Sequence, residues 1–506
     1  MSKLKIDGRS VEVEQGTTIL DASKKLGIDI PTLCFREGCQ PSTSCMVCIV
    51  KVKNRLIPSC ATLAEDGMEI ESETDEIHEV RRTALELLLS DHTGDCIAPC
   101  HNICPAGMNI PKMIRQIAEG DLRNAIITVK RDIPLPAVLG RICPAPCENG
   151  CRRGFHDNPV SICLLKRYVA DFDLASEHPY LPQCEPDNGK RIAIIGAGPA
   201  GLSGAYYLLQ KGYACTIFDD HDKPGGELQY SVPGDRLPRN VLDAEIDIIR
   251  RLGAEFHLNT KIGEDFKSLQ TNYDAVLIAT GRNDNQFLKD IKADRNTFQT
   301  SVESVFMAGN AIGRRVNMAV RSVADGEITA NSIDQYLSGV QITGFRKHFS
   351  TRMGKLTDVE LQHFVANASK DQRIEPSGNN GFSEQEAYTE SLRCLHCDCR
   401  KADNCKLRDY SDIYFADPNK YKGERRLFEQ QFQHKDIIYE SGKCISCGLC
   451  IQIASRSAEP LGLAFIGRGF DVRIGVPFNR TIEEGLQKVA EECVEACPTG
   501  ALAFKD

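Results

Sequence analysis

The chain has 506 residues, 61 basic against 70 acidic side chains, a net charge of −9, and 23 cysteines. That length allows several domains, each with its own core, while the negative balance argues against a nucleic-acid or anionic-membrane surface, and no apolar run approaches the roughly 18 residues needed to span a bilayer. The start, Met1-Ser2-Lys3-Leu4-Lys5, lacks the apolar region of a signal peptide. A cytoplasmic location is therefore expected, where thiols stay reduced and short-spaced cysteines bind metal rather than pair as disulfides.

Residues 3 to 13 alternate around Asp7-Gly8, a hairpin turn signal. Thr18 to Leu26 reads as a short helix with Thr18 as N-cap and Asp21 three residues on. Cys34-x10-Cys45-x2-Cys48-x11-Cys60 follows, with strand-like Ile49-Val50-Lys51-Val52 after the pair. Four thiolates around a compact charged core suit a two-iron cluster. Cys39 falls outside that spacing and reads as a small buried apolar residue. A helix from Ile77 to Ser90 buries one broad face and delivers His92. On these cysteines, on Leu33-Cys34 and on that helix, residues 1 to about 92 resemble the amino-terminal ferredoxin domain of the large iron-sulfur subunit of respiratory complex I and of iron-only hydrogenases.

His92-x3-Cys96-x3-Cys100-x3-Cys104-Pro105 comes next, then two amphipathic helices (111–119 and 121–130), then Cys143, Cys147 and Cys151 at spacings of four, and Cys163. Prolines interrupt both runs, so the spacing is not that of a helix core face. Eight ligands fit two four-iron clusters.

The stretch Arg191-Ile192-Ala193-Ile194-Ile195 reads as a buried parallel strand. Gly196-x-Gly198-x-x-Gly201 then turns the chain so that a pyrophosphate can approach a helix N-terminus. A second strand follows and ends at Asp219, placed to accept from a ribose hydroxyl. Farther on come Pro224-Gly225-Gly226, Ala279-Thr280-Gly281 and Met307-Ala308-Gly309-Asn310.

From the cysteine helices through these glycine motifs the chain resembles the glutamate synthase small subunit and the cluster domain of dihydropyrimidine dehydrogenase. The resemblance implies FAD, with its pyrophosphate at Gly196, Gly198 and Gly201, its ribose at Asp219, and further contacts from Gly226, Gly281, Gly309 and Asn310. Asn310 replaces the family's aspartate. The resemblance also groups Cys96, Cys100 and Cys151 in one cluster and Cys104, Cys143 and Cys147 in the other. The family's oxygen ligand falls at Lys166, so Cys163 is expected to replace it, and His92 completes the first group. The alternative places His92, Cys96, Cys100 and Cys104 together and leaves Cys143, Cys147, Cys151 and Cys163 as the second set. The family's second nucleotide domain has only residues 282–304 in its place, and no second GxGxxG occurs, so the NAD(P)H site is expected to be missing.

Residues 335–393 read as charged, glycine-punctuated linker. Cys394-x2-Cys397-x-Cys399-x5-Cys405 offers four thiolates for a four-iron cluster, with structural zinc as the alternative. Cys444-x2-Cys447-x2-Cys450 and Cys497-Pro498 follow the bacterial ferredoxin pattern. The places of a second such cluster hold Ala454, Gln487, Ala490 and Cys493, so one cluster is expected here. Residues 465–471 resemble the same complex I and hydrogenase subunits.

The expected architecture is multidomain: a β-grasp 2Fe-2S ferredoxin domain (1–76), an α-helical 4Fe-4S domain (77–185), an α/β Rossmann-like FAD domain (186–340), a linker and four-cysteine region (341–425), and a bacterial-ferredoxin-like domain (426–506). With one two-iron and four four-iron clusters, the expected function is an electron-transfer subunit. Its expected partners are NADH dehydrogenase-type FMN/iron-sulfur subunits and another redox subunit or ferredoxin. The rivals are a self-contained flavoenzyme acting on a small molecule and a zinc scaffold.

Overall fold

The computed structural model describes residues 1–263, 266–282, 291–313, 318–345 and 348–505. Compactness gathers the five expected segments into two units. The first comprises Met1–Ile97, His348–Ala366 and Cys397–Asp506, and the second Ala98–Lys347 and Asn367–His396. The first unit is thus interrupted in sequence, and the stretch carrying His92 and Cys96 folds with the far carboxy-terminal part rather than with the helices after it.

In the first unit, Ser2–Ile6 and Arg9–Val13 pair antiparallel. Asp7 and Gly8 both take positive φ, 48° and 77°, as a tight hairpin turn demands. Alternation sends Leu4, Ile6 and Val13 inward against Ile19, Leu20 and Ala22 of the helix Ile19–Lys25. Thr18 caps that helix, accepting from the Asp21 N–H at 3.1 Å. Glu69–Glu71 lies parallel to the first strand and antiparallel to Ile49–Val52, which pairs with Arg55–Pro58 and completes a five-stranded mixed sheet. The helix Asp75–Leu89 is tied to this sheet by Arg81, fully buried, whose guanidinium donates to the Ile49 carbonyl at 3.1 Å and to the Tyr414 hydroxyl at 2.8 Å. Leu85 and Leu89 share one core with Cys34, Cys45, Cys405, Cys447 and Leu449. Ile437–Tyr439 pairs with Leu502–Phe504, which brings Cys444 and Cys497 to the same strand ends.

In the second unit, Ile110–Ala118, Leu122–Asp132, Pro136–Ile142 and Ile162–Leu174 form a helical layer around Ile114, Val129, Leu139 and Leu165. Beside it stands a five-stranded parallel sheet in the order Val305–Met307, Ala275–Ile278, Arg191–Ile195, Ala214–Phe218, Glu255–His257. The helices Pro199–Gln210 and Ala319–Leu337 pack backbone to backbone: a Cβ at Gly326 would lie 2.5 Å from the Ala200 carbonyl.

The stretch read as linker contains two capped helices, Asp358–Val365 in the first unit and Glu384–Ser391 in the second. Thr357 with Glu360 and Ser383 with Glu386 form capping boxes. Those two S/T-x-x-E patterns were the available sequence signal.

Candidate redox sites

The glycine turn of the second unit opens a cleft of about 830 Å³ whose lining includes Gly196, Gly198, Asp219, Gly226, Gly281 and Asn310. The three glycines of the turn serve different ends. Gly196 has φ 108°, and a Cβ there would sit 2.5 Å from the Ala279 carbonyl. A Cβ at Gly201 would sit 2.0 Å from the Gly196 carbonyl. Gly198 has nothing within 4 Å of its missing Cβ, so it leaves open space at the start of the helix Pro199–Gln210. Gly201 and Gly309 do not line the cleft; Gly309, at φ 66°, permits close approach to Ala200 instead. The Asp219 carboxylate accepts from the Ala197 N–H at 2.7 Å and from the His221 N–H at 3.0 Å. Its hydrogen bond to the His221 ring favours the charged imidazolium and pushes His221 above its ordinary pKa.

A dinucleotide fits this cleft on two counts. Gly198 leaves the space a side chain would fill. Thr280 Oγ1 lines the cleft buried and without a hydrogen-bond partner among the described residues. The strands Ala275–Ile278 and Val305–Met307 are direct neighbours, with Val305 opposite Val276. Of the 282–304 stretch that joins them, residues 283–290 lie outside the described residues.

Ile142 and Pro144, on either side of Cys143, line the same cleft. The Cys143 and Cys147 thiols lie beside Cys163, close enough to perturb its titration. The Glu148 carboxylate accepts from the Cys163 N–H at 3.0 Å and from Arg373 at 3.0 Å, fixing the loop before the helix Ile162–Leu174. Lys166 is 4% exposed. Burial opposes its charge, yet Cys163, Cys143, Cys147 and Cys104 together hold its pKa above the ordinary value. The ammonium thus faces four sulfurs. Cys100, Cys151 and Cys394 pack along the helical core of the same unit.

In the first unit, Cys34, Cys45, Cys48 and Cys60 are all buried and face one another. Cys48 Sγ stands 3.3 Å from Cys60 Sγ. Hydrogen bonds led by Cys45 lower the Cys34 thiol and those led by Cys60 lower Cys48, in each pair at the expense of the donating partner, which is raised. Cys39 is buried in the same core as Cys34 and Cys45, with its sulfur 3.6 Å from an Arg456 nitrogen.

The boundary between the two units falls within the 394–405 run, with Cys394 in the second unit and Cys397, Cys399 and Cys405 in the first. Cys399 comes to Cys96, its N–H donating to the Cys96 carbonyl at 3.3 Å. Cys405 is pushed up to about 12 by burial, with the neighbouring Cys399 and Cys96 adding to it. Cys96 Sγ accepts from the Thr351 N–H at 3.4 Å. Burial, with the Lys443 ammonium adding to it, pushes the His92 imidazole down to about 4 and keeps it neutral. Both expected groupings place Cys96 with Cys100, and neither includes Cys399. The chain reversal that brings residue 399 to residue 96 has no local signature.

Cys444, Cys447, Cys450 and Cys497 line one small pocket with Tyr439 and Leu502. The Ser446 N–H donates to Cys444 Sγ and the His396 N–H to Cys394 Sγ, each at 3.4 Å, with Ser446 and His396 at positive φ. Burial pushes the Cys444 thiol up to about 11, and the Ser446 amide works against that by favouring the thiolate. Cys493 stands outside that pocket, fully buried, with its thiol donating to the Cys450 carbonyl at 3.7 Å. No described helix is long and apolar enough to cross a membrane.

Three family models match the chain: a 2Fe-2S iron-sulfur cluster binding domain over residues 1–75, the 4Fe-4S domain II of dihydropyrimidine dehydrogenase over 75–178, and an NAD(P)-binding Rossmann-like domain over 194–257. The β subunit of NADP(+)-dependent formate dehydrogenase from Moorella thermoacetica is 41% identical over 207 residues, 36% of this chain and 29% of that protein. The β subunit of NADPH-Fe(3+) oxidoreductase from Geobacter sulfurreducens is 40% identical over 188 residues, 36% of this chain and 28% of that protein. The small chain of NADPH glutamate synthase from Mycobacterium tuberculosis is 35% identical over 192 residues, 37% of this chain and 39% of that protein. The chain therefore spans well under half the length of these relatives.

Proposed function

We propose that this homologue of oxidoreductase subunits is a cytoplasmic electron-relay subunit, carrying electrons between an NADH dehydrogenase-type partner and another redox subunit or ferredoxin. One observation carries the reading: the ligand set around Cys143 adjoins the dinucleotide cleft through Ile142 and Pro144. A flavin exchanges one or two electrons and an iron-sulfur cluster one, so a flavin cleft beside a thiolate set suits a wire.

The residues divide the work. Gly196, Gly198, Asp219, Gly226, Gly281 and Asn310 line the FAD cleft, while Gly201 and Gly309 let the backbone close behind it. Cys34, Cys45, Cys48 and Cys60 hold the two-iron cluster. Four-iron clusters are held by Cys104, Cys143, Cys147 and Cys163; by His92, Cys96, Cys399 and Cys405; and by Cys444, Cys447, Cys450 and Cys497. Cys100, Cys151 and Cys394 belong to a fourth. Thiolates with a neutral imidazole, gathered where four sulfurs or three sulfurs and a nitrogen converge, suit iron-sulfur ligation.

The sequence holds no second GxGxxG, and only residues 282–304 stand where the resembled family has its second nucleotide domain. This supports entry of reducing equivalents by a route other than a pyridine nucleotide bound to this chain. Anaerobically purified chain should therefore be bleached by dithionite and left oxidised by NADH or NADPH. Rapid bleaching by either nucleotide alone would reject the relay reading.

The ligand grouping has its own test. Cys96→Ala and Cys399→Ala should each remove about four irons, and the double variant the same four, because one cluster is lost in all three. A double variant lacking about eight irons would show that the two thiols serve separate clusters.

A further inference from the structure

Lys443 and Glu440 form an ion pair at the centre of the first unit, with side chains 3% and 2% exposed. The ammonium stem fills a slot made by two glycines. A Cβ at Gly94 would meet Lys443 Cε at 2.5 Å, and a Cβ at Gly500 would lie 3.6 Å from Lys443 Cδ. Gly94 stands between His92 and Cys96, and Gly500 follows Cys497 and touches Cys399, whose sulfur would lie 2.2 Å from that Cβ. The Thr93 N–H donates to the Gly442 carbonyl at 2.8 Å, which pins the two segments together. Lys443 is also the residue before Cys444. One lysine thus meets Gly94, between His92 and Cys96, and Gly500, beside Cys399 and three residues past Cys497, while its own backbone leads directly into Cys444.

Burying an ion pair costs more than a hydrophobic pair of the same volume, so fold stability does not account for it. Glu440 is held in place from its other side, accepting from Gln430 Nε2 at 2.8 Å. The pair is therefore an oriented dipole in a low-dielectric interior, where a fixed charge acts strongly on its neighbours. A cluster ligated by thiolates becomes more negative when it takes an electron, and net charge and hydrogen bonding around the sulfurs set its potential.

We propose that Lys443 is a potential-setting residue shared by the two four-iron clusters of the first unit, its ammonium favouring the reduced state of both and Glu440 limiting that effect. This rests on the ligand sets proposed above. Each reduction adds one electron to a cluster, supplied by dithionite in the test, and no proton moves at Lys443, which stays charged throughout.

The test is an anaerobic redox titration of the whole chain at fixed pH, followed by electron paramagnetic resonance, with iron counted in every sample. Lys443→Met should keep its iron and lower both midpoints, shifting the oxidised-to-reduced ratio at a given poise at least tenfold, which is about 59 mV for a one-electron couple. Glu440→Gln should move both midpoints the opposite way, and Lys443→Arg should hold them near the parent values. A merely structural pair would not give opposite signs. Unmoved midpoints in Lys443→Met with full iron would overturn the proposal. Should Lys443→Met fail to assemble, Glu440→Gln decides, and the absence of an upward shift there overturns it equally. If instead Cys399→Ala loses no iron, it is the ligand reading that fails.

Discussion

Gly198→Val is expected to give a chain that folds, keeps its iron and carries no flavin. The backbone at Gly198 has φ −78° and ψ −178°, which any residue adopts, and its missing Cβ points at nothing within 4 Å. The new side chain would occupy the space at the helix N-terminus where a pyrophosphate approaches. Flavin retention should fall at least tenfold, worth about 1.4 kcal/mol. Gly201→Val is the contrasting case. Its Cβ would lie 2.0 Å from the Gly196 carbonyl, a backbone atom that cannot swing away. The cost should reach or exceed the upper end of the ~1–3 kcal/mol typical of overpacking, and the parallel sheet should go with it. Flavin and iron counts on the two purified variants separate the cases. Full flavin in Gly198→Val would show that the cleft takes no dinucleotide at this turn.

The second large effect concerns Arg393, fully buried in the second unit beside a Glu390 that is also fully buried. Glu390 accepts from Arg393 at 2.8 Å, from the Ser161 N–H at 2.8 Å and from the Ile374 N–H at 2.8 Å. Arg393 also donates to Asp157 at 3.1 Å and to the Asn158 and Asp371 carbonyls at 2.8 and 3.0 Å. Asp157 is held in turn by two hydrogen bonds of 2.7 Å from Arg153, which lower its carboxyl to about 2. One guanidinium thus fixes the loop before Cys163 and the turn into Cys394. Arg393→Met leaves the Glu390 carboxylate buried without its counter-charge, and the loss should be about 3–5 kcal/mol. Chemical denaturation of the variant and parent would read it. A loss below about 1 kcal/mol would mean that water or a shifted cation takes the place of the guanidinium.

Much of the local structure was legible in the residues. The Asp7-Gly8 hairpin, the Thr18 cap and the glycine turn at Gly196 are written within a few neighbours, because positive φ, a side-chain acceptor and a missing Cβ each act over one turn of chain. The two helices inside residues 335–393 were equally local, marked by their capping boxes, and were hidden by the charged composition around them. Cys34, Cys45, Cys48 and Cys60 illustrate the middle range, where spacing marks four candidate ligands and the fold brings the outer two to the inner pair.

The cysteine count, their short spacings and the Gly196 turn came from the sequence by itself, since thiolate chemistry and phosphate approach depend on residue type and a few bonds. Which thiols come close to one another was decided only by the tertiary structure. Cys96 and Cys399 are separated by some three hundred residues, most of them folded as another unit, and their meeting is set by burial of Leu85, Leu89 and Leu449 in one core. No spacing encodes that meeting, because loop closure over such a length costs little more than over a shorter one and leaves no pattern in the chain.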